Sequence, residues 1–207
     1  MLRLVLCLCL LLVLPASAFA GDVSVTLRTP QGAPIVNAVV TIEAPHTGPV
    51  RFDWPYRMAQ QNLQFDPFVL IVPVGAEVAF PNLDKVRHHV YSFAPAKTFE
   101  LKLYGQDETR VVNFDKPGVV PLGCNIHDNM VAFVVVVDTP WAARTDVSGQ
   151  AVLRGVPAGP QTLHVWHPYL IAPGNALAQP VAVPRDGAAL AQVTGQLRAP
   201  LQQRRMY

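Results

Sequence analysis

The sequence predicts an all-β protein, and three observations point that way. Twenty prolines and thirteen glycines punctuate the chain and leave short Val-rich runs between them. Those runs alternate with period two, as strands with one covered face do. Past the N-terminal apolar segment, no stretch of twelve or more residues carries a 3.6-residue period free of Pro or Gly, so amphipathic helices are not expected.

The first twenty residues stand apart from this pattern. Arg3 gives a positive start, "LVLCLCLLLVLP" is an apolar run too short to span a bilayer comfortably, and Ala18-Phe19-Ala20 is a small-x-small site. We read residues 1–20 as a signal peptide cleaved after Ala20, in preference to an uncleaved anchor. The protein is then expected in the periplasm, exported and not membrane-bound after cleavage. Its removal takes away Arg3, Cys7 and Cys9, which leaves nearly balanced charge and one cysteine, Cys124. Balanced charge argues against a nucleic-acid partner. A single exported cysteine has no internal disulfide partner, so it calls for burial or a ligand.

The remaining chain falls into three blocks. Residues 22–45, "DVSVTLRTPQGAPIVNAVVTIEAP", read as strand, glycine turn, strand. The central block, from "NLQFDPFVLIVPVGAEVAFPNLD" to "AFVVVVDTP", reads as a series of strands with turns near 73–76, 81–82, 104–107 and 116–118. Residues 145–168 are again strand, turn, strand, with Gly149, Gly155 and Gly159 at the corners. The segment "ALAQVTGQLR" suits a last edge strand, and residues 199–207 are expected to form a flexible tail.

Chemistry concentrates in "LGCNIHDNM" and, upstream, in "KVRHHVYSF". Strand parity places Val120, Leu122 and Cys124 on one face, with Pro121 and Gly123 on the other. The sulfur therefore points with the core side chains. His127 and Met130 follow in a short loop, and His88 or His89 can reach the same point from another loop. A thiolate, a thioether and two imidazoles form a soft donor set that suits copper, whereas structural zinc sites favour four strong Cys or His ligands. A Cys–His nucleophile is the enzymatic rival, but it needs an accessible thiolate and a donor cluster for the developing charge. Neither is evident, so the chain is read as a non-enzyme.

Two segments carry a resemblance. "VPVGAEVAFPNLDKVRHHV" and "FDKPGVVPLGCNIHDNMVAFVVV" resemble the cupredoxins of plastocyanin and amicyanin type, including the span from Pro117 to Cys124 and the short C-x-x-H-x-x-M loop. The flanking "G-x-P-x-x-x-A-x-V-x-I", over Gly32 to Ile42, and the pattern from Thr145 to Val165 resemble the transthyretin-like, carboxypeptidase-regulatory sandwiches. Together they look like the exported proteins called methylamine utilization proteins. The resemblance implies a cupredoxin Greek-key β-sandwich over 56–138, inserted in or joined to a small transthyretin-like β-sandwich built from 21–50 and 139–198. It also implies one mononuclear type 1 copper held by His88, Cys124, His127 and Met130, with His89 at the position usually held by Asn and as the alternative first ligand. One-electron transfer with redox protein partners, a cytochrome or a dehydrogenase, is the implied function. Copper storage, delivery or sensing is the alternative.

Other copper classes fit the residues less well. A binuclear centre needs two cysteines, a multicopper oxidase needs His-x-His pairs, and "GCNIH" lacks the histidine that would wire a catalytic copper. His164 and His167 lie three apart and would face opposite sides of a strand. Packing beside Trp166 or hydrogen bonding at the strand end is expected of them. His46 has no partner nearby in sequence, and Lys85 and Arg87 read as a solvated loop.

Overall fold

A computed structural model describes residues 19–199. The signal-peptide reading falls almost wholly on residues 1–18, and the tail reading on 200–207, outside the described residues. Among the described residues there are sixteen strands and one 3-10 turn, and no helix is long and apolar enough to cross a membrane. The strands are β1 (Ala20–Arg28), β2 (Val39–Ile42), β3 (Ala59–Gln61), β4 (Gln64–Asp66), β5 (Val69–Pro73), β6 (Ala76–Pro81), β7 (His88–Ala94) and β8 (Lys97–Tyr104). They continue as β9 (Thr109–Phe114), β10 (Gly118–Cys124), β11 (Val131–Val137), β12 (Ala142–Arg144), β13 (Gln150–Pro157), β14 (Gly159–Trp166), β15 (Ala176–Val183) and β16 (Ala188–Thr194). The turns read near 73–76, 104–107 and 116–118 fall between strands.

Strand pairing separates the chain into two sandwiches. One combines the sheet β13-β1-β16 with the sheet β12-β2-β14-β15, so the first two strands pair with the last five. Its core is built from alternate residues, among them Val23, Val25 and Leu27 of β1, Leu153 of β13, and Leu163 and Val165 of β14. The edge strand read at the C-terminal end is β16, which pairs in parallel with β1. Sequence reading passed over β15, whose alternating apolar and small residues are interrupted by Pro180.

Thr145 holds the two ends of this sandwich together. It is 1% exposed, accepts the Ala38 N–H at 2.8 Å, and donates its hydroxyl to the Ile35 carbonyl at 2.8 Å. Gly149 closes the turn that follows with φ of 75°, and a Cβ there would lie 2.5 Å from the Leu27 carbonyl oxygen. Only glycine accommodates both demands.

The second sandwich comprises a five-stranded sheet in the order β5-β11-β10-β7-β8 and the β6-β9 pair, with the β3-β4 hairpin beside them. Val78 and Phe80 of β6 and Phe114 of β9 pack with Val90, Val120, Leu122 and Val134 of the larger sheet. Here β5 and β11 depart from simple alternation. In β11, Ala132, Val134 and Val136 face this core, while Val135 and Val137 join Val69, Ile71, Val39 and Ala142 in an apolar layer between the two sandwiches. A strand covered on both faces reads as a continuous apolar run, which accounts for "VVVV".

His164 and His167 do not converge. His167 lies just past β14, 5% exposed, where its Nδ1 accepts the Tyr169 N–H at 3.2 Å. Burial pushes its pKa down to about 4, against an opposing backbone hydrogen bond to Val36. In the unfolded chain this imidazole takes up its proton near pH 6.5. Between those values the unfolded state binds more protons, so the contribution is complete above about pH 6.5 and is lost as pH falls toward 4. His167→Gln is therefore expected to flatten the fall in stability between pH 6.5 and 4, measured by denaturant unfolding. An unchanged slope contradicts this assignment.

Candidate metal centre

The centre is assembled from three segments, each set by local chemistry. Strand β10 delivers Cys124: Val120, Leu122 and Cys124 are buried, while Pro121 is exposed and Gly123 only partly covered, so the parity read from sequence holds. Cys124 pairs with Val90 of β7, which places the sulfur beside the start of that strand. After Cys124 the chain turns tightly, and the Met130 N–H donates to the His127 carbonyl at 2.9 Å. Met130 is 1% exposed and sits in the same core cluster as Cys124.

Three ligand atoms converge. The Cys124 Sγ lies 3.8 Å from His88 Nδ1 and 3.6 Å from His127 Nδ1, and all three atoms fall within 4.8 Å of one another. Among the described residues no other group of three His, Cys, Asp or Glu side chains converges in this way. His88 is fully buried and Cys124 nearly so, whereas His127 is only partly covered.

Asp84 determines how His88 is presented. Its carboxylate accepts the His88 Nε2–H at 2.9 Å and the backbone N–H groups of Asn62 and Leu63 at 2.7 and 3.0 Å. Those two residues form the β3-β4 turn, both at φ of 56°. A leucine in the left-handed region is disfavoured, and the two hydrogen bonds to Asp84 hold it there. Burial works to raise the Asp84 pKa, but the hydrogen bonds from Leu63, His88 and Asn62 outweigh it and hold the carboxyl below its ordinary value. For His88 burial is the leading influence and keeps the pKa below the ordinary imidazole value, despite Asp84. The ring is then neutral at neutral pH, with its proton on Nε2 and the Nδ1 lone pair facing Cys124.

Asp84 is fixed in turn by Asn82, which is fully buried. The Asn82 Oδ1 accepts the Asp84 N–H at 2.9 Å, and its Nδ2 donates to the carbonyls of Val86 and Tyr104 at 2.8 and 3.1 Å. The Tyr104 hydroxyl meets Gln60 Oε1 and the Phe80 carbonyl, and burial raises its pKa well above the usual tyrosine value.

His89 takes a different path from its neighbour. It points away from the sulfur, and its Nε2 lies 2.9 Å from Glu100 Oε1. The two loops are tied at this position through the main chain, because the Asn125 N–H donates to the His89 carbonyl at 3.1 Å. Asp84 and Glu100 were not singled out from sequence. Asp84 was legible as the carboxylate four residues before His88, but Glu100 reaches His89 only across the β7–β8 pairing. His46 likewise finds its partner far away, with Nε2 2.8 Å from the Asp138 carbonyl.

These donors suit a soft metal ion. A neutral imidazole oriented by a carboxylate, a buried thiol and a second imidazole match the nitrogen and sulfur preferences of copper, and the burial limits access of water. No protein-family model and no curated protein matches the chain. Among solved structures it is similar to the copper-containing nitrite reductase of Thermus scotoductus, with 26% identity over 44% of this chain and a TM-score of 0.40. The chain spans 26% of that enzyme's length. It is also similar to a purple cupredoxin from Nitrosopumilus maritimus, with 22% identity, 39% of this chain, 98% of that one and a TM-score of 0.36. A tryptophan-to-tyrosine variant of amicyanin in its reduced state gives 21%, 47%, 98% and 0.38. The chain is an all-β protein of sandwich architecture whose neighbours among solved structures are cupredoxins.

Gly123, beside Cys124, carries a packing constraint that can be tested. A Cβ there would lie 2.8 Å from the Tyr91 ring across the strand pair. Gly123→Ala is expected to destabilise the chain by about 1–3 kcal/mol in denaturant unfolding, with most of the loss recovered in a Tyr91→Ala background. Additive losses in the double variant contradict the contact.

Proposed function

We propose that this chain is an exported type 1 copper protein that passes single electrons between redox proteins, without bond-making catalysis of its own. The observation that carries the reading is the convergence of His88 Nδ1, Cys124 Sγ and His127 Nδ1 inside 4.8 Å, with the sulfur in the core. His88, Cys124 and His127 would hold the ion, and Met130, buried at the end of the same loop, would supply a weak fourth ligand. Bound copper supplies a one-electron Cu(II)/Cu(I) couple.

The chain's own residues prepare that chemistry. Asp84 keeps the His88 proton on Nε2, so Nδ1 is available without a proton loss. Burial of Cys124 and Met130 keeps the sulfur donors away from solvent and its oxidants. His127, only partly covered, is the port nearest the surface, and its loop exposes Ile126. The upstream loop exposes Leu83 and Val86, giving a surface suited to brief contact with a redox partner such as a cytochrome or a dehydrogenase. We further propose that β1, β2 and β12–β16 form a transthyretin-like sandwich around the copper-binding one, that residues 1–20 direct export to the periplasm, and that the whole belongs to the methylamine utilization type.

Titration of the purified chain with Cu(II), followed by visible absorption, tests the reading. One equivalent is expected to produce an intense thiolate-to-copper band, absent in Cys124→Ser and lost reversibly on one-electron reduction. A colourless Cu(I)-only complex, or preference for zinc, contradicts electron transfer and favours storage or delivery. Asp84→Asn is expected to weaken copper binding by about 10- to 100-fold in chelator competition, because the Nε2–H loses its charged acceptor. An unchanged affinity removes Asp84 from the centre.

A further inference from the structure

The junction between the two sandwiches holds an opening that the metal centre does not use. A cleft of about 450 Å³ lies there, walled by Trp54 and Arg57 from the segment before β3, Asp66 at the end of β4 and Pro67 just after it, and Arg144 at the end of β12. Its size falls in the range of small-molecule sites, roughly 300–1,000 Å³, and such sites favour domain boundaries.

Two of the walls, Trp54 and Arg144, are held by hydrogen bonds. The Trp54 indole stacks on Phe52 with ring centres 4.5 Å apart, and its Nε1–H donates to the Ile71 carbonyl at 2.8 Å. It is nevertheless 37% exposed. One nitrogen of Arg144 donates to the Val69 carbonyl at 2.9 Å, which orients that guanidinium and leaves its other N–H groups available. Arg57 is exposed, and none of Arg57, Arg144 and Asp66 enters an ion pair among the described residues. The lining thus carries two guanidiniums against one carboxylate, beside an immobilised indole and a proline ring.

We propose that this cleft binds a small aromatic monocarboxylate, its ring against Trp54 and Pro67 and its carboxylate held by Arg57 and Arg144. The ring contacts follow from flat apolar walls, and the charge from guanidinium forks that match a carboxylate. Asp66 leaves a net single positive charge, which suits a monoanion over a dianion. Binding requires no metal, so it stands or falls apart from the copper reading.

Calorimetric titration of the purified chain without added metal tests the proposal, with benzoate as probe and benzyl alcohol and acetate as ring-only and carboxylate-only controls. Benzoate is expected to bind saturably, one per chain, with both controls weaker by about tenfold or more. Arg57→Gln, which breaks no internal bond, is expected to weaken benzoate about tenfold while the thermal midpoint stays unchanged. No saturable heat up to about 10 mM benzoate, equal binding of benzyl alcohol, or undiminished affinity in Arg57→Gln overturns it.

Discussion

One carboxylate organises the candidate metal centre. Asp84 accepts two backbone N–H groups from the β3-β4 turn and the Nε2–H of His88, so a single side chain fixes a turn, a tautomer and a ring orientation. The order of these effects matters. A neutral imidazole with its proton on Nε2 offers Nδ1 to the buried sulfur, whereas the other tautomer would direct an N–H at it. Burial then keeps the ring neutral, and the low dielectric around His88 strengthens its bond to Asp84. Asn82, itself fully buried, fixes the main chain of Asp84, so the network extends back to Tyr104 and Gln60 in the core.

The rest of the fold supplies rigid walls for this arrangement. Cys124 ends a strand whose neighbours on both sides are paired, and its position follows from the register with β7 and β11. The loop beyond it is short and hydrogen-bonded, which limits how far His127 can move from the sulfur. The sandwich of β1, β2 and β12–β16 covers the outer face of β5 and β11, so the sheet that carries Cys124 has its first two strands buried on both sides.

What was legible in the sequence was local. Alternation in β10 placed the sulfur inward, and proline and glycine marked most turns, because both are properties of a few neighbouring residues. The choice between His88 and His89 was not local. It depends on Asp84 on one side and Glu100 on the other, and only the pairing of β7 with β8 sets the second. Thr145, too, reads as an ordinary polar residue until its two hydrogen bonds to Ile35 and Ala38 are seen. Strand β15 was passed over because its sequence is weakly apolar and holds a proline, and its place is set by pairing with β14.

On the proposed reading, the carboxylate-held His88, and not its neighbour, closes the site with Cys124 and His127. Copper stoichiometry and the visible thiolate band, compared between His88→Ala and His89→Ala, test it most directly. His89→Ala is expected to keep one copper per chain and its band, while His88→Ala is expected to lose the band. A band that survives in His88→Ala and disappears in His89→Ala contradicts it.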